Sequence, residues 1–521
     1  MGKLPTGISD FRELRERGCV YVDKTQYVYK MVEENKYVFI SRPRRFGKSL
    51  TVSVLEYLFK GERGLFEGTW IFDKWDWQEF PVVRLDMNEV DSTSPENLTK
   101  SILLKLKRIA EEYGTSCVNG TVSDTFYYLV QDISRKSKKP VVLLIDEYEK
   151  PILDHISDKQ SAHQMREILR QLYGRIKSLD GYLRFVFFTG ITKYTKAGVF
   201  STLNNLVDIS FHEDFAQMFG YTLEEIVQYF PEYIDAACEK LGMSREYLLE
   251  QLEKYYGGFS FDGKHFVFNP FSVLLFFYEK NFANYWSETA QPSFLYNYLK
   301  GRDVRLEDIL ERKTISRMEL MSQEIEETTV VSFLVQAGYL TFKRKVDANL
   351  YEVGFPNIDA GQAVAQMILE LEYGLRQYEL EDKGSELRKA IREERVEDMM
   401  RVIEELFGSM SYMSYAGMGR VCEVEKLEAH YSQLMYALLF GAGVKCEMER
   451  EVARGRVDIW FTNDGVGYVM ELKVDKSAQE ALEQIKERGY ERLCGTRRCY
   501  LIGVNFNSKE RKIEWAVEVR K

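Results

Sequence analysis

The sequence predicts an α/β protein: a doubly wound parallel sheet in the N-terminal part, a helical to mixed connector, and a smaller α/β domain at the C-terminus. Three observations carry that expectation. Apolar runs near residues 37–41, 82–87, 140–146, 184–189 and 207–211 alternate with helical segments near 48–60, 96–113 and 160–179, the βαβ rhythm of a parallel sheet. Residues 140–147, PVVLLIDE, stay apolar until two terminal acids, as a strand covered on both faces must. Residues 455–473, GRVDIWFTNDGVGYVMELK, form two strand-like runs across a turn of Asn463, Asp464 and Gly465.

In chain order, residues 36–41, KYVFIS, read as a buried strand, RPRRFGKS as a loop, and Leu50, Val54, Leu55 and Leu58 as one helical face. A strand, a loop ending in Gly-Lys-Ser and a helix make the setting of a P-loop, where backbone N–H groups and the helix N-terminus attract phosphate. Arg45, Gly47, Lys48 and Ser49 are therefore candidate nucleotide-binding residues, with Lys48 for the β/γ-phosphates and Ser49 for magnesium. Arg42 stands where the first glycine of G-x-x-x-x-G-K-[ST] belongs, and Arg42, Arg44 and Arg45 are expected to add positive charge. The plain alternative is a basic strand-to-helix loop.

Ligands of parallel sheets lie beyond the carboxyl ends of the strands, which places Asp146 and Glu147 beside such a phosphate. Asp146 suits a magnesium ion held through water, and Glu147 suits polarisation of an attacking water; the bland reading is an acid pair at a helix N-terminus. Thr189 ends the next apolar run, Phe185-Val186-Phe187-Phe188.

Over about residues 4–300 the chain resembles the AAA-ATPase-like family, through the P-loop segment, Asp23-Lys24-Thr25, Phe200-Ser201-Thr202-Leu203-Asn204-Asn205 and Tyr256-Gly257-Gly258-Phe259. The resemblance implies an ATP-binding P-loop core over 1–215, with an added strand between the Walker strands, Thr189 in the sensor position and a helical lid over 216–300. Asp23-Lys24-Thr25 is then expected near the nucleotide, and Tyr285-Trp286 in the lid core. Such sites often lie between subunits, so a homodimer or ring stays open, and no arginine is singled out as a finger.

The connector, 301–409, is expected to be mainly helical, with Gly338-Tyr339-Leu340-Thr341-Phe342 as a strand in a small module that includes Phe355-Pro356-Asn357. Residues 376–404 are highly charged with apolar spacing that fits surface helices.

In the last segment, 410–521, strand alternation puts Glu471 and Lys473 on one face. A register that sets Asp458 opposite them gathers two carboxylates and an ammonium, equipment for holding magnesium and hydrolysing a phosphodiester. The alternative is a weak cross-strand pair on a solvated face. Against it, the two charges interrupt Tyr468, Val469, Met470, Leu472 and Val474, a run apolar enough to be buried, where charges need partners. Ser477 and Glu480 form a capping box for a helix with the apolar stripe Ala478, Ala481, Leu482 and Ile485, and Gln484 borders that stripe. An upstream helix reads from Leu427, Tyr431, Leu434 and Leu438 to a stop near Gly441 and Gly443, with Glu428 at its margin.

Gly455-Arg456-Val457-Asp458, then Glu471-Leu472-Lys473, then Gln484, resembles the PD-(D/E)XK nuclease superfamily, in the version that follows an AAA-ATPase-like domain in bacterial proteins. The resemblance implies a restriction-endonuclease-like fold acting on DNA with Mg²⁺. Asp458 and Glu471 would be metal ligands, Lys473 the water-positioning base, Gln484 a supporting residue and Glu428 an acid completing the metal site. Ser432 follows Tyr431 where relatives often carry histidine.

Composition bounds the rest. At 521 residues, with 45% hydrophobic and 29% charged, the chain suits a multi-domain soluble protein, and no apolar run approaches the roughly 20 residues a membrane helix needs. The N-terminus lacks the apolar core of a secretory signal. Seven scattered cysteines without paired spacing point to reduced thiols in a cytoplasm and away from zinc. A net charge of −10 opposes nucleic-acid binding unless cations are grouped, as Arg450, Arg454 and Arg456 before the acidic strand and Lys486, Arg488, Arg492, Arg497 and Arg498 after it would be. The expected function is an ATPase coupled to a magnesium-dependent DNA endonuclease. The alternative is a nucleotide-switched binding or signalling protein whose C-terminal domain binds nucleic acid or protein without cutting.

Overall fold

In the computed structural model, residues 2–118, 120–193, 196–200, 203–286, 293–299, 309, 314–321, 328–410, 424–452, 455–495, 498–508, 510 and 512–520 are described. The chain is α/β and divides into two units, Met1–Arg302 with Lys313–Asn357, and Asp303–Arg312 with Ile358–Lys521.

The first unit is built on a parallel sheet of β1 (Tyr37–Ser41), β2 (Val82–Asp86), β3 (Val141–Asp146), β4 (Leu183–Gly190) and β5 (Val207–Asp208), in the order β2-β3-β4-β1-β5. β4 separates the strand that leads into the P-loop from the strand that ends in Asp146, as the added strand of the expected ATPase core does. Every residue of β3 is buried, which accounts for its unbroken apolar run. The helices that cover the sheet begin at side-chain caps: Ser94 for Pro95–Glu112, Thr121 for Val122–Ser137 and Asp158 for Lys159–Gly174. The Val122–Ser137 helix lies between the expected helical segments, and its buried Val122, Phe126, Leu129, Val130 and Ile133 follow a helical period.

Four helices, Leu223–Tyr229, Pro231–Leu241, Arg245–Tyr256 and Pro270–Glu279, share a second core around Ile226, Phe230, Leu252 and Phe277, and Tyr285 joins it. A three-stranded antiparallel sheet follows, made of β8 (Thr314–Ser316), β9 (Thr341–Lys345) and β10 (Leu350–Gly354), after the two-residue pair β6 (Phe259–Ser260) and β7 (Phe266–Val267). Gly338, expected in a strand, instead ends the Val330–Ala337 helix at φ 85°, and the strand starts at Thr341. A Cβ on Gly338 would meet Pro43 of the P-loop at 2.5 Å. Asn357 Nδ2 donates to the Gly257 carbonyl, and a Cβ on Gly258 would collide with the Pro356 carbonyl.

The second unit holds a mixed sheet of β11 (Cys446–Val452), β12 (Gly455–Asn463), β13 (Val466–Val474), β14 (Cys499–Asn507) and β15 (Lys512–Arg520), paired in chain order. Only β13 and β14 run parallel, and the Ala478–Arg488 helix makes the crossover between them. The charged stretch 376–404 forms the helices Gln377–Arg392 and Val396–Ser409. The loop joining β12 to β13 is two residues long, Asp464 at φ 45° and Gly465 at φ 84°, the left-handed pair that a tight hairpin turn demands.

The cysteine expectation needs correction: Cys494 and Cys499 are disulfide-bonded. They flank the corner between the short Tyr490–Cys494 helix and β14, and their Cα atoms stand 5.9 Å apart, so a five-residue spacing that looked unpaired is closed by the fold. Among the described residues no helix is long and apolar enough to cross a membrane.

The crossover helix sits so close to β14 that a Cβ on Gly503 would overlap the Ala478 carbonyl and lie 2.5 Å from Leu482 N. Gly503→Ala should therefore cost about 1–3 kcal/mol of unfolding free energy, which a urea titration reads directly.

Candidate functional site

β1 delivers the chain into the P-loop, and Gly47, at φ 90°, caps the Lys48–Phe59 helix, so that helix's free N–H groups face the loop. Arg45 is left-handed as well, at φ 66°, and its guanidinium lies 3.9 Å from the Phe271 ring centroid. Lys48 is buried. Its Nζ donates to the Arg42 and Pro43 carbonyls, each at 3.1 Å, and stands 3.2 Å from Glu147 Oε1.

Arg42 does not add charge to this loop as expected. Its guanidinium is buried and turned away, donating to the carbonyls of Ser41 (2.9 Å), Ser210 (2.6 Å) and Phe215 (3.1 Å) under the Phe261 ring. Burial lowers its pKa to about 9, while Asp208 and Asp262 oppose the loss of charge. The residue in the first-glycine position thus fastens the end of β1 to the segment after β5.

Across the sheet, Asp146 ends β3 with no exposure. Thr189 Oγ1 donates to its Oδ1 at 3.4 Å and Ser49 hydrogen-bonds to it, while its Oδ2 is buried with no partner. Burial, reinforced by Glu147, raises the Asp146 carboxyl to about 6. Glu147 itself is left-handed, at φ 52°. Two residues on, Glu149 is fully buried and its pKa is raised, first by burial and then by Glu147. No spacing rule marked Glu149, because its partners, Ile191 and Thr192, are distant in sequence and come beside it only through the pairing of β3 with β4. A cavity of about 280 Å³ borders this cluster, lined by Lys24, Arg45, Lys48, Ser49, Glu147 and the apolar Phe271 among others. Lys24 faces it while pairing with Glu225 at 2.6 Å, and Asp23 instead accepts the Trp70 and Thr25 N–H groups. Ser201 and Thr202 lie outside the described residues.

In the second unit the tight turn pairs Asn463 with Val466 and Ile459 with Met470. Carried one residue further, that register sets Asp458 across from Glu471. Asp458 Oδ2 accepts from Leu472 N at 2.7 Å. Glu471 is 3% exposed; Gln484, from the crossover helix, donates to its Oε1, Lys473 Nζ lies 3.7 Å from that oxygen, and Oε2 is buried without a partner. Burial raises the Glu471 pKa, Asp458 raises it further and Lys473 opposes both. The hairpin and helix thus bring Asp458, Glu471, Lys473 and Gln484 together.

Glu428 arrives from the Val424–Gly441 helix, yet its carboxylate is engaged by ammonium groups, Lys473 at 3.6 Å and Lys476 at 3.0 Å. Lys476 had no signal in the sequence beyond its charge. Among the described residues no three Asp, Glu, His or Cys side chains gather closely enough to hold a metal. Two carboxylates remain, which fits magnesium, an ion that keeps several waters, and the bare Glu471 Oε2 is an available oxygen donor. Beside them a groove of about 320 Å³ is lined by Lys473, Lys476, Gln484 and Arg488 with Glu480, Glu483 and Glu487. Of the expected cation cluster, Lys486 pairs with Glu518 and Arg498 with Glu394, and Arg456 is exposed. Arg454, Arg497 and the Arg450 side chain lie outside the described residues.

The family described as predicted AAA-ATPase matches residues 5–200, and the PD-(D/E)XK nuclease superfamily matches residues 426–516. An uncharacterized protein from the vnfD 5′ region of Azotobacter chroococcum mcd 1 is 30% identical over 520 residues, covering 98% of each chain. No solved structure matches.

The raised Asp146 pKa has a sign that can be checked. Near pH 3 folded and unfolded chains are both protonated there; as pH climbs from the ordinary 3.8 to about 6, only the unfolded chain releases the proton, so stability falls across that window and stays lower above it. In metal-free protein, Asp146→Asn should remove this decline and gain about 2 kcal/mol at pH 7.5, measured as the variant-minus-wild-type difference in urea unfolding between pH 4.5 and 7.5.

Proposed function

The chain belongs to the family in which a predicted AAA-ATPase domain precedes a PD-(D/E)XK nuclease superfamily domain, and on that premise we propose that it is an ATPase governing a magnesium-dependent DNA endonuclease. The observation that carries the nuclease half is the buried, partnerless Glu471 Oε2 facing Asp458 with Lys473 on the same face. Glu471 and Asp458 hold magnesium. The bound ion supplies Lewis-acid polarisation of a phosphodiester and a more acidic water. Lys473 orients the attacking water from its place beside Glu471 Oε1, and Gln484 fixes the Glu471 rotamer. Glu428 pairs with Lys473 at 3.6 Å and is itself paired with Lys476 at 3.0 Å.

In the first unit, Gly47, Lys48 and Ser49 bind the phosphates of ATP, Arg45 flanks them, and Ser49 with Asp146 holds the accompanying magnesium. Thr189 steadies Asp146. The phosphates compete with Glu147 for Lys48, which releases Glu147 to polarise water. A second reading, nucleotide switching without turnover or cutting, is favoured by Arg42 in the glycine position and by the three internal partners that already satisfy Lys48.

Plasmid nicking with Mg²⁺, with and without ATP, separates the two. Lys473→Ala should slow cutting by about 10²-fold, Asp458→Ala should bring it to background, and Lys48→Ala should abolish ATP hydrolysis. Cutting by Asp458→Ala at the wild-type rate would remove the nuclease reading.

A further inference from the structure

The loop after β3 contains one acid that the proposed chemistry does not use. Glu149 Oε1 accepts from Ile191 N at 2.5 Å and from Thr192 N at 2.8 Å, just beyond the end of β4. Its Oε2 has no partner and rests against Gly190, where any Cβ would overlap it. Tyr148, beside it, ties the same two segments: its N–H donates to the Thr189 carbonyl at 3.1 Å and its hydroxyl to the Thr192 carbonyl at 2.9 Å. Tyr173, from the Lys159–Gly174 helix, donates to the Tyr148 carbonyl at 3.2 Å. The exit of β3 and the exit of β4 are thus stitched together in a buried interior, with the Glu149 carboxyl accepting two otherwise orphaned backbone donors.

Between this stitch and Asp146 stands Glu147, held left-handed at φ 52° although it has a full side chain. That backbone costs about 1–3 kcal/mol and persists only where its surroundings hold it. On one side it is held by β3, in register with β4; on the other by Tyr148 and Glu149.

We propose that Glu149 is a positioning residue for ATP hydrolysis: its buried carboxyl locks the β4 exit to the loop after β3 and so keeps Glu147 in the left-handed turn that aims it at Lys48 and the phosphate site. The inference rests on the ATPase reading above. Glutamine preserves the accepting oxygen and the reach of the side chain. Aspartate withdraws the oxygen by one methylene, a displacement of the size that costs about 10²-fold when it misplaces a reacting group.

The test is steady-state ATP hydrolysis by the full chain, with a fluorescent ATP analogue to measure binding. Glu149→Asp should lower kcat by at least about tenfold while the analogue's Kd stays within about twofold, and Glu149→Gln should keep kcat within about threefold of wild type. Glu149→Asp at wild-type kcat, equal losses in both variants, or a parallel loss of binding would each overturn the proposal. Lys48→Ala separates the failures: wild-type turnover that survives Lys48→Ala sinks the ATPase reading and this inference together. Turnover that requires Lys48 but ignores Glu149→Asp sinks this inference alone.

Discussion

A carboxylate taken out of water must be given a proton, a cation or a set of donors, because leaving it bare costs several kcal/mol. That constraint organises both units. Asp146 receives the Thr189 hydroxyl on one oxygen and nothing on the other; Glu149 receives two backbone N–H groups; Glu471 receives an amide and a distant ammonium while Asp458 works against it. Each is incompletely satisfied by the protein, and burial, reinforced by a neighbouring acid, displaces each pKa upward. Asp146 and Glu471 lie beside a groove or cavity lined by lysines, where a divalent cation would relieve the unmet demand.

The geometry that creates these environments is inexpensive in sequence terms. In the first unit, parallel pairing aligns strand ends, so the last residues of β3 and β4 are neighbours by construction. In the second, a two-residue turn decides the hairpin register, and a one-residue slip would send Asp458 to the opposite face from Glu471. Glycine does the same service in both places. Gly190 admits the Glu149 carboxyl to the sheet end, and Gly503 admits the helix that carries Gln484.

What could be read from the sequence were features whose cause is local: the apolar run into Asp146, the strand and helix around Gly47-Lys48-Ser49, and the alternation that puts Glu471 with Lys473. Asp458 could be placed conditionally, since the turn residues were visible but the register was not. Glu149, Lys476 and the Cys494–Cys499 bridge escaped because their partners are supplied by segments brought near by pairing or by a corner of the chain. The expectation for Arg42 fails for a related reason. Adjacent basic residues look alike in a sequence, but a buried guanidinium sandwiched by carbonyls and an aromatic ring is doing structural work. The Val122–Ser137 helix had both a cap and a period, and there the signal was present but unassigned.

The contact of Gly338 with Pro43 bears on how the chain can be taken apart. The Gln336 side chain accepts from Lys193 N at 2.6 Å, just past β4, and Thr341 Oγ1 accepts from Ser260 N at 2.8 Å. A fragment ending with the lid helices, near residue 300, would strip these supports from the P-loop and from the strand carrying Thr189. A fragment meant to keep the first unit's packing must therefore run on to Asn357, that unit's last residue.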